Sequence, residues 1–122
     1  MKLQDFEIYN ISMEIGYEIW FSVVEWDNLA KYSMGQQIIK SADSIAANIS
    51  EGFGRNNYKD RTNFMFYARG SHSETITWLT KARNRKIITE EFFDGIIAKM
   101  EKLGCKINNY IRTLKAKTNK KS

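Results

Sequence analysis

Apolar residues recur at every third or fourth position along most of the chain, which is the spacing of side chains on one face of an α-helix. This pattern predicts four helices, over residues 3–25, 32–53, 59–84 and 89–114. The chain contains no proline, so the helices are expected to be long and uninterrupted. Because the connections are short, the sequence predicts an all-α, antiparallel up-and-down four-helix bundle over residues 1–114, with a solvated basic tail over 115–122.

The predicted breaks between the helices contain polar residues or glycine. A break at Asp27 separates the first helix from the second. Gly52 and Gly54 are expected to end the second helix, because glycine adopts the conformations that stop a helix. Thr89 is expected to cap the N-terminus of the fourth helix, where acidic residues follow it.

Apolar stripes on the helices indicate which residues form the core. The stripe of the first helix is predicted to be Tyr9, Met13, Gly16, Trp20 and Val23, widened by Ile8, Ile11, Ile15 and Ile19. The stripe of the fourth helix is Phe93, Ile96, Met100, Leu103, Ile107, Tyr110 and Leu114. Aromatic residues at helical spacing are predicted to be core rather than stacking surfaces for nucleic-acid bases, namely Trp20, Trp78 and the run Phe64–Tyr67.

The segment SIAANISEGFGR, residues 44–55, places polar side chains at regular steps in the second helix. Ser44, Asn48, Glu51 and Arg55 are three or four residues apart and therefore form a stripe along one face. An apolar stripe of isoleucine and alanine runs beside it. The second helix is thus predicted to present an apolar face and an ordered polar face, which we call the polar stripe.

The net charge of +5 conceals an uneven distribution. Residues 1–80 contain 7 Lys or Arg and 10 Asp or Glu, whereas residues 81–122 contain 12 and 4. The sequence therefore has an acidic part and a basic part, which points to electrostatic interaction either with a partner or between its own helices.

Ten basic residues are candidate contacts to nucleic-acid phosphates: Arg55, Lys81, Arg83, Arg85, Lys86, Lys99, Lys102, Lys106, Arg112 and Lys115. The alternative is a solvated face with favourable charges near helix C-termini. In a ring of identical subunits, a basic strip would be repeated in each copy and would strengthen binding to phosphate.

The sequence offers little for catalysis. His72 is the only histidine and Cys105 the only cysteine, so a histidine metal site or a Ser-His-Asp arrangement lacks companions. We expect a surface or interface histidine and a half-exposed structural thiol, and we predict a non-enzyme without cofactor or metal. With no signal peptide and no membrane-spanning segment indicated, the expected location is cytoplasmic.

Several short motifs carry a resemblance to a known family: Gln37-Ile38, Ser44-Ile45, Asn48-Ile49, Glu51-Gly52 with Arg55, and Gly70-Ser71 with Glu74 and Leu79. In these the chain resembles the small four-helix bundle proteins encoded by intervening sequences of bacterial 23S rRNA genes. The resemblance extends from Phe6 to about Leu114. It departs from the family pattern at Ala46, where relatives have proline, so a kink expected in them is not expected here.

The resemblance implies a bundle that assembles as a homo-oligomer, pentameric in studied members. A more distant resemblance is to the accessory variability protein of diversity-generating retroelements, which binds nucleic acid and a reverse transcriptase. The expected function is therefore non-enzymatic, electrostatic binding of RNA or DNA by a homo-oligomer. The alternative is a protein-interaction scaffold or accessory subunit that docks a reverse-transcriptase-like protein without binding nucleic acid directly.

The polar stripe has two interpretations. In the structural one, its residues form hydrogen bonds across a helix–helix seam, with Glu51 and Arg55 paired and Ser71 or Glu74 of the third helix nearby, and hold subunits together. In the functional one, Asn48 and Arg55 contact nucleic acid, with Arg55 on phosphate. We favour the structural interpretation, because Glu51 would repel phosphate unless Arg55 neutralised it.

Overall fold

The computed structural model describes the backbone of residues 1–121 and the side chains of residues 1–120; Ser122, the last residue of the predicted tail, lies outside the described residues. Four long helices are labelled α1 to α4: α1 is Glu7–Val23, α2 is Gln36–Phe53, α3 is Tyr58–Asn84 and α4 is Glu90–Lys121. A short 3-10 helix, Leu3–Asp5, precedes α1. The described residues contain no strand, and the predicted all-α fold is confirmed.

The four helices form an antiparallel up-and-down bundle. Helix α1 packs against α2 and α4, and α3 also packs against α2 and α4. One end of the bundle therefore carries the α1–α2 and α3–α4 connections. The other end carries the N-terminus of α1, the α2–α3 connection and the C-terminus of α4.

The second helical segment begins before residue 32, the predicted start. Asp27 caps it by accepting a hydrogen bond from the Ala30 backbone N–H at 3.0 Å, which also places the first break as predicted. The chain passes through Asn28–Ala30 and a π-helical segment, Lys31–Gly35, before α2. At Ala46 the helix continues without interruption.

Helix α4 extends beyond Leu114, where it was predicted to end. Residues 115–121 are helical rather than an irregular tail, and most side chains of 115–120 are exposed, as expected. The physical reason is local, because this segment contains helix-forming alanine and lysine and no glycine or proline. At its start, the Thr89 hydroxyl accepts a hydrogen bond from the Phe92 backbone N–H at 3.0 Å, so the predicted cap is present.

The core is a continuous cluster of isoleucine, leucine, methionine and alanine from all four helices. In α4 the predicted stripe is buried, apart from Tyr110, which is partly buried. In α1 the buried side chains are Ile8, Ser12, Ile15, Ile19 and Val23, so the core lies on the isoleucines that were expected to widen the stripe. Of the residues predicted at the centre of the stripe, only Val23 is buried.

Two aromatic residues predicted to be core are exposed. Trp20 on α1 is 50% exposed and Tyr67 on α3 is 58% exposed. Phe64, Phe66 and Trp78 are only partly buried. The bundle core is therefore mainly aliphatic, with Trp26 and Phe93 as its buried aromatic residues, and the other aromatic rings are partly buried or exposed around it.

Gly52 lies where α2 packs closely against α3. A Cβ atom there would be 2.9 Å from the Cβ of Phe64 and 3.0 Å from the Cε of Met65. The sequence correctly indicated the end of α2, since the helix stops at Phe53. The role of Gly52, however, is to admit a neighbouring helix, and its backbone has no positive φ.

The α3–α4 connection is closed by a hydrogen-bonded turn. The Ile87 backbone N–H donates to the Ala82 carbonyl at 2.8 Å, and the Lys86 N–H donates to the Arg83 carbonyl at 2.9 Å. Lys86 has a φ of 62°, in the left-handed region that favours glycine. The turn thus reverses the chain at the expense of strain at Lys86.

Candidate nucleic-acid interface

The polar stripe forms hydrogen bonds mainly within α2. The Ser44 hydroxyl donates to the Lys40 carbonyl at 2.8 Å, and the Asn48 amide donates to the Ser44 carbonyl at 2.9 Å. Arg55 and Glu51 form an ion pair with an N–O distance of 3.2 Å. Within one chain these bonds stay inside α2, and the Glu51–Arg55 pair is the one that its spacing predicted. The seam between subunits stays a prediction.

The residues of α3 expected near the stripe have other contacts. Glu74 accepts a hydrogen bond from the indole N–H of Trp78 at 3.1 Å, and the Ser71 carbonyl accepts one from the Thr75 hydroxyl at 2.8 Å. A buried hydrogen bond joins α3 to α2, in which the Thr75 hydroxyl donates to the Ser41 hydroxyl at 2.9 Å. Ser41 is not among the residues that the sequence analysis selected. Its position beside Ala42 of the apolar stripe is the feature that indicates a buried serine.

Arg55 connects α2 to the start of α3. Its guanidinium lies 4.8 Å from the centre of the Phe64 ring. Its carbonyl accepts a hydrogen bond from the Nε of Arg61 at 2.7 Å. Two cations are therefore held together at the α2–α3 connection.

Two candidate phosphate contacts pair with the acidic first helix. The Nζ of Lys99 lies 2.9 Å from Glu14 and 2.7 Å from Glu18, and these carboxylates raise the pKa of Lys99. The Nζ of Lys106 lies 3.1 Å from Glu7. Part of the uneven charge of the sequence therefore joins α1 to α4 within the chain, and these two lysines are poor phosphate contacts.

The four cations near the α3–α4 connection share their end of the bundle with carboxylates. Lys81 lies over the Trp78 ring at 4.9 Å, and Arg83 lies over the Phe93 ring at 4.1 Å. Arg85 and Lys86 line the same surface groove as Glu25 and Asp27. We call this region the mixed end: Lys81, Arg83, Arg85 and Lys86 with Glu25, Asp27, Glu90 and Glu91.

The opposite end of the bundle gathers cations around aromatic rings. Arg69 of α3 and Lys115 of α4 each lie 5.0 Å from the centre of the Phe66 ring. Arg69 also donates a hydrogen bond to Asn108 at 3.1 Å. Lys117 lies 5.4 Å from the Tyr58 ring. Phe66 therefore holds cations from two helices at one place.

We define the basic end by the exposed or partly exposed cations of this region: Arg55, Lys59, Arg61, Arg69, Arg112, Lys115 and Lys117. Arg112 is hydrogen-bonded to Asn109. The contributing segments contain few carboxylates, since residues 54–73 contain only Asp60 and residues 102–122 contain none. Two further carboxylates at this end are paired, Glu51 with Arg55 and Glu7 with Lys106. Lys102 is exposed on α4, outside this group.

Arg69, Lys59 and Arg61 were absent from the candidate contacts drawn from the sequence. Each is isolated among neutral residues or beside an acidic one, so no run of cations marked them. They join the basic end only because α3 and α4 are antiparallel and bring residues 59–69 beside residues 108–117. Antiparallel helices bring the start of one beside the end of the other. Comparing the charges of residues 59–69 with those of residues 108–117 would therefore have indicated these three cations.

His72 is buried between α3 and α4, not at the surface. Its Nε2 lies 2.6 Å from the Met100 carbonyl, and its ring packs against Gly104, where a Cβ would lie 3.0 Å from it. Cys105 is exposed rather than half-exposed. Within residues 1–121, no group of three or more His, Cys, Asp and Glu side chains is placed to hold a metal ion.

The fold and surface thus define a small all-α bundle with one strongly basic end. Residues 4–109 match the family model described as the 23S rRNA-intervening sequence protein, so the chain belongs to that family. No curated protein matches the chain. The resemblance noted in the sequence is confirmed.

A solved structure shows the same fold. The chain is similar to a protein of unknown function from the S23 ribosomal protein family of Bacteroides thetaiotaomicron, with a TM-score of 0.77 and 24% sequence identity. The match covers 85% of this chain and 97% of that one. Separately, no helix within residues 1–121 has an apolar stretch of membrane-spanning length.

Proposed function

We propose that the protein is a non-enzymatic, homo-oligomeric four-helix bundle that binds RNA or DNA through its basic end. The observation that carries this proposal is the Phe66 ring with Arg69 and Lys115 on it, 5.0 Å from each. Both side chains are exposed, and the ring holds them beside one another on a surface with few carboxylates. Such a surface attracts phosphates of a nucleic-acid backbone.

The mechanism is electrostatic. Binding of phosphates by lysine and arginine releases counterions, so the affinity falls as the salt concentration rises. The amide groups of Asn108 and Asn109 add uncharged hydrogen-bonding groups beside Arg69 and Arg112. Because these contacts read the backbone rather than base edges, little sequence preference is expected.

The test is a fluorescence-anisotropy titration of a labelled 23S rRNA fragment and a DNA duplex of equal length, at low and near-physiological salt. Steeply salt-dependent binding supports the proposal, and tighter binding of the rRNA fragment favours RNA as the ligand. Absence of binding at low salt overturns it.

The second candidate function is a protein-interaction scaffold. The observation that favours it is the exposed apolar face of α1, where Tyr17 is 58% and Phe21 66% exposed. Such a face marks contact with another protein surface. If a partner occupies it while nucleic acid does not bind, docking of a reverse-transcriptase-like protein becomes the better account.

A further inference from the structure

Tyr67 presents an aromatic ring that the folded chain leaves open. It lies on α3 near the basic end and is 58% exposed. Its ring meets the Phe64 ring edge to face, with the ring centres 5.6 Å apart and the planes at 89°. One of the two rings contributes only its edge to such a contact. Whichever ring this is, at least one face of the Tyr67 ring stays outside the contact and is open to a flat partner.

The helix surface on both sides of Tyr67 is low. Asn63 lies one turn before it and Gly70 one turn after it, and both are exposed. Apart from its chain neighbours and the backbone of its own helix, no described atom lies within 4 Å of where a Cβ of Gly70 would be. This glycine therefore leaves space beside the Tyr67 ring. We call the surface formed by Asn63, Tyr67 and Gly70 the Tyr67 face.

A cation adjoins the Tyr67 face. The Arg55 guanidinium lies 4.8 Å from the centre of the Phe64 ring, and Phe64 in turn contacts Tyr67. The cation and the open ring therefore belong to one surface. Arg55 also pairs with Glu51, but an exposed ion pair of this kind contributes little stability, so a phosphate can compete for the guanidinium.

Two carboxylates of α3 lie two turns from Tyr67, Asp60 before it and Glu74 after it. Each accepts a hydrogen bond at 3.1 Å from a side chain on its far side, Asp60 from the Asn57 amide and Glu74 from the Trp78 indole N–H. These bonds hold both carboxylates away from the ring, so the approach to the Tyr67 face remains open to an anion.

An open ring beside a cation suits an unpaired nucleotide. The bases of a duplex are stacked on one another, whereas a single strand can stack a base on a protein ring while its phosphates contact cations. By contrast, the exposed rings of Tyr17 and Phe21 line a groove in which carboxylates outnumber cations, which disfavours phosphate. Charge therefore distinguishes the Tyr67 face from the aromatic surface of α1.

We propose that the Tyr67 face binds an unpaired nucleotide of RNA or DNA, with its base stacked on the Tyr67 ring and neighbouring phosphates on Arg55 and the other cations of the basic end. This inference rests on the proposed nucleic-acid binding and names the class of ligand, a single-stranded segment rather than a duplex. Because every base has an aromatic face, the site accepts any base.

The test is a fluorescence-anisotropy titration at low salt with a labelled strand of uridines about 12 nucleotides long and with a labelled DNA duplex. Tyr67→Ala is expected to weaken binding of the single strand about 10-fold, because one base loses its stacking partner, and binding of the duplex by less than about 2-fold. Tyr67→Phe keeps the ring and the affinity. Tyr32→Ala is the matched control, since Tyr32 is 65% exposed at the mixed end, and it keeps both affinities.

A second pair of variants tests the space beside the ring without removing the ring. Gly70→Leu is expected to give the same selective loss of single-strand binding, because the leucine side chain occupies that space. Gly95→Leu is its control, since Gly95 is exposed on α4 and a Cβ there would also be free of contacts within 4 Å. Circular dichroism confirms that each variant is folded.

The possible failures are distinguishable. If Tyr67→Ala binds the single strand as wild type does, or loses as much affinity for the duplex, the inference is wrong while nucleic-acid binding stands. If light scattering shows that Tyr67→Ala lowers the oligomer mass, Tyr67 is a contact between protein chains, which also overturns the inference. A wild type that binds neither ligand defeats the proposed function itself.

Discussion

The two ends of the bundle contain similar kinds of residue but differ in charge balance, since one is close to neutral and the other is positive. At the mixed end, four cations lie among Glu25, Asp27, Glu90 and Glu91. At the basic end, Asp60 accepts a hydrogen bond from the Asn57 amide and Glu51 pairs with Arg55, while cations from α3 and α4 meet on Phe66. The densest run of cations in the sequence is therefore not the strongest positive surface, because nearby carboxylates offset it.

The largest expected effect comes from reversing charges at each end. Arg69→Glu with Lys115→Glu is expected to weaken nucleic-acid binding by about 100-fold at low salt, because phosphate contacts become repulsive. Lys81→Glu with Arg85→Glu changes the net charge equally and is expected to weaken binding by less than about 5-fold. Anisotropy titration measures both, and equal losses would show that only net charge matters.

The next effect concerns packing near the basic end. Gly52→Ala is expected to lower the free energy of unfolding by about 1–3 kcal/mol, because its Cβ would overlap α3. Gly54→Ala is the control, since the nearest atom to its Cβ would be 3.7 Å away. Denaturant unfolding measures both variants. A Gly52→Ala variant as stable as Gly54→Ala would contradict a close approach of α2 and α3.

At the mixed end, a substitution to glycine is expected to raise the free energy of unfolding, whereas Gly52→Ala lowers it. Lys86→Gly should raise the free energy of unfolding by about 1 kcal/mol, because it relieves the left-handed conformation. Arg85→Gly, at a φ of −87°, should instead lower it slightly, because glycine gains freedom in the unfolded chain. Thermal unfolding measures both variants. A shift of the unfolding temperature in the same direction for both would contradict backbone strain at Lys86.

The smallest expected change in stability comes from the ion pairs of Lys99 with Glu14 and Glu18, midway between the two ends. Lys99→Gln is expected to lower stability by about 0.5 kcal/mol at pH 8, since the pairs are partly exposed. Because the folded-state pKa of Lys99 is raised above 10.5, its contribution is present below that pH and is lost as pH rises through the raised value. Denaturant unfolding at pH 8 and pH 11 should show the wild-type advantage shrinking.

The sequence predicted the features that depend on local pattern. The regular stripe of α4, the Thr89 cap and the Glu51–Arg55 pair at one helical turn all follow from spacing of three or four residues. The fold class followed in turn, since four amphipathic helices with short connections have few ways to bury their faces.

The features that the sequence did not predict depend on which helices meet. In α1, Ile15 and Gly16 both lie on apolar stripes, and only the position of α2 and α4 decides which stripe is buried. The basic end likewise combines Arg69 with Lys115, which are distant in sequence. The Thr75–Ser41 hydrogen bond also joins two helices, and no spacing within either one indicates it.

The π-helical segment Lys31–Gly35 holds an extra residue in the helical segment that leads into α2. A π-turn accommodates one residue more than an α-turn, and each residue turns the helix by about 100°. Deleting the exposed Ser33 would therefore restore an α-turn and leave Ala30 on the core side of the helix. A single-residue deletion within α2 has no such extra residue to remove, and it would rotate one side of the helix by about 100° relative to the other.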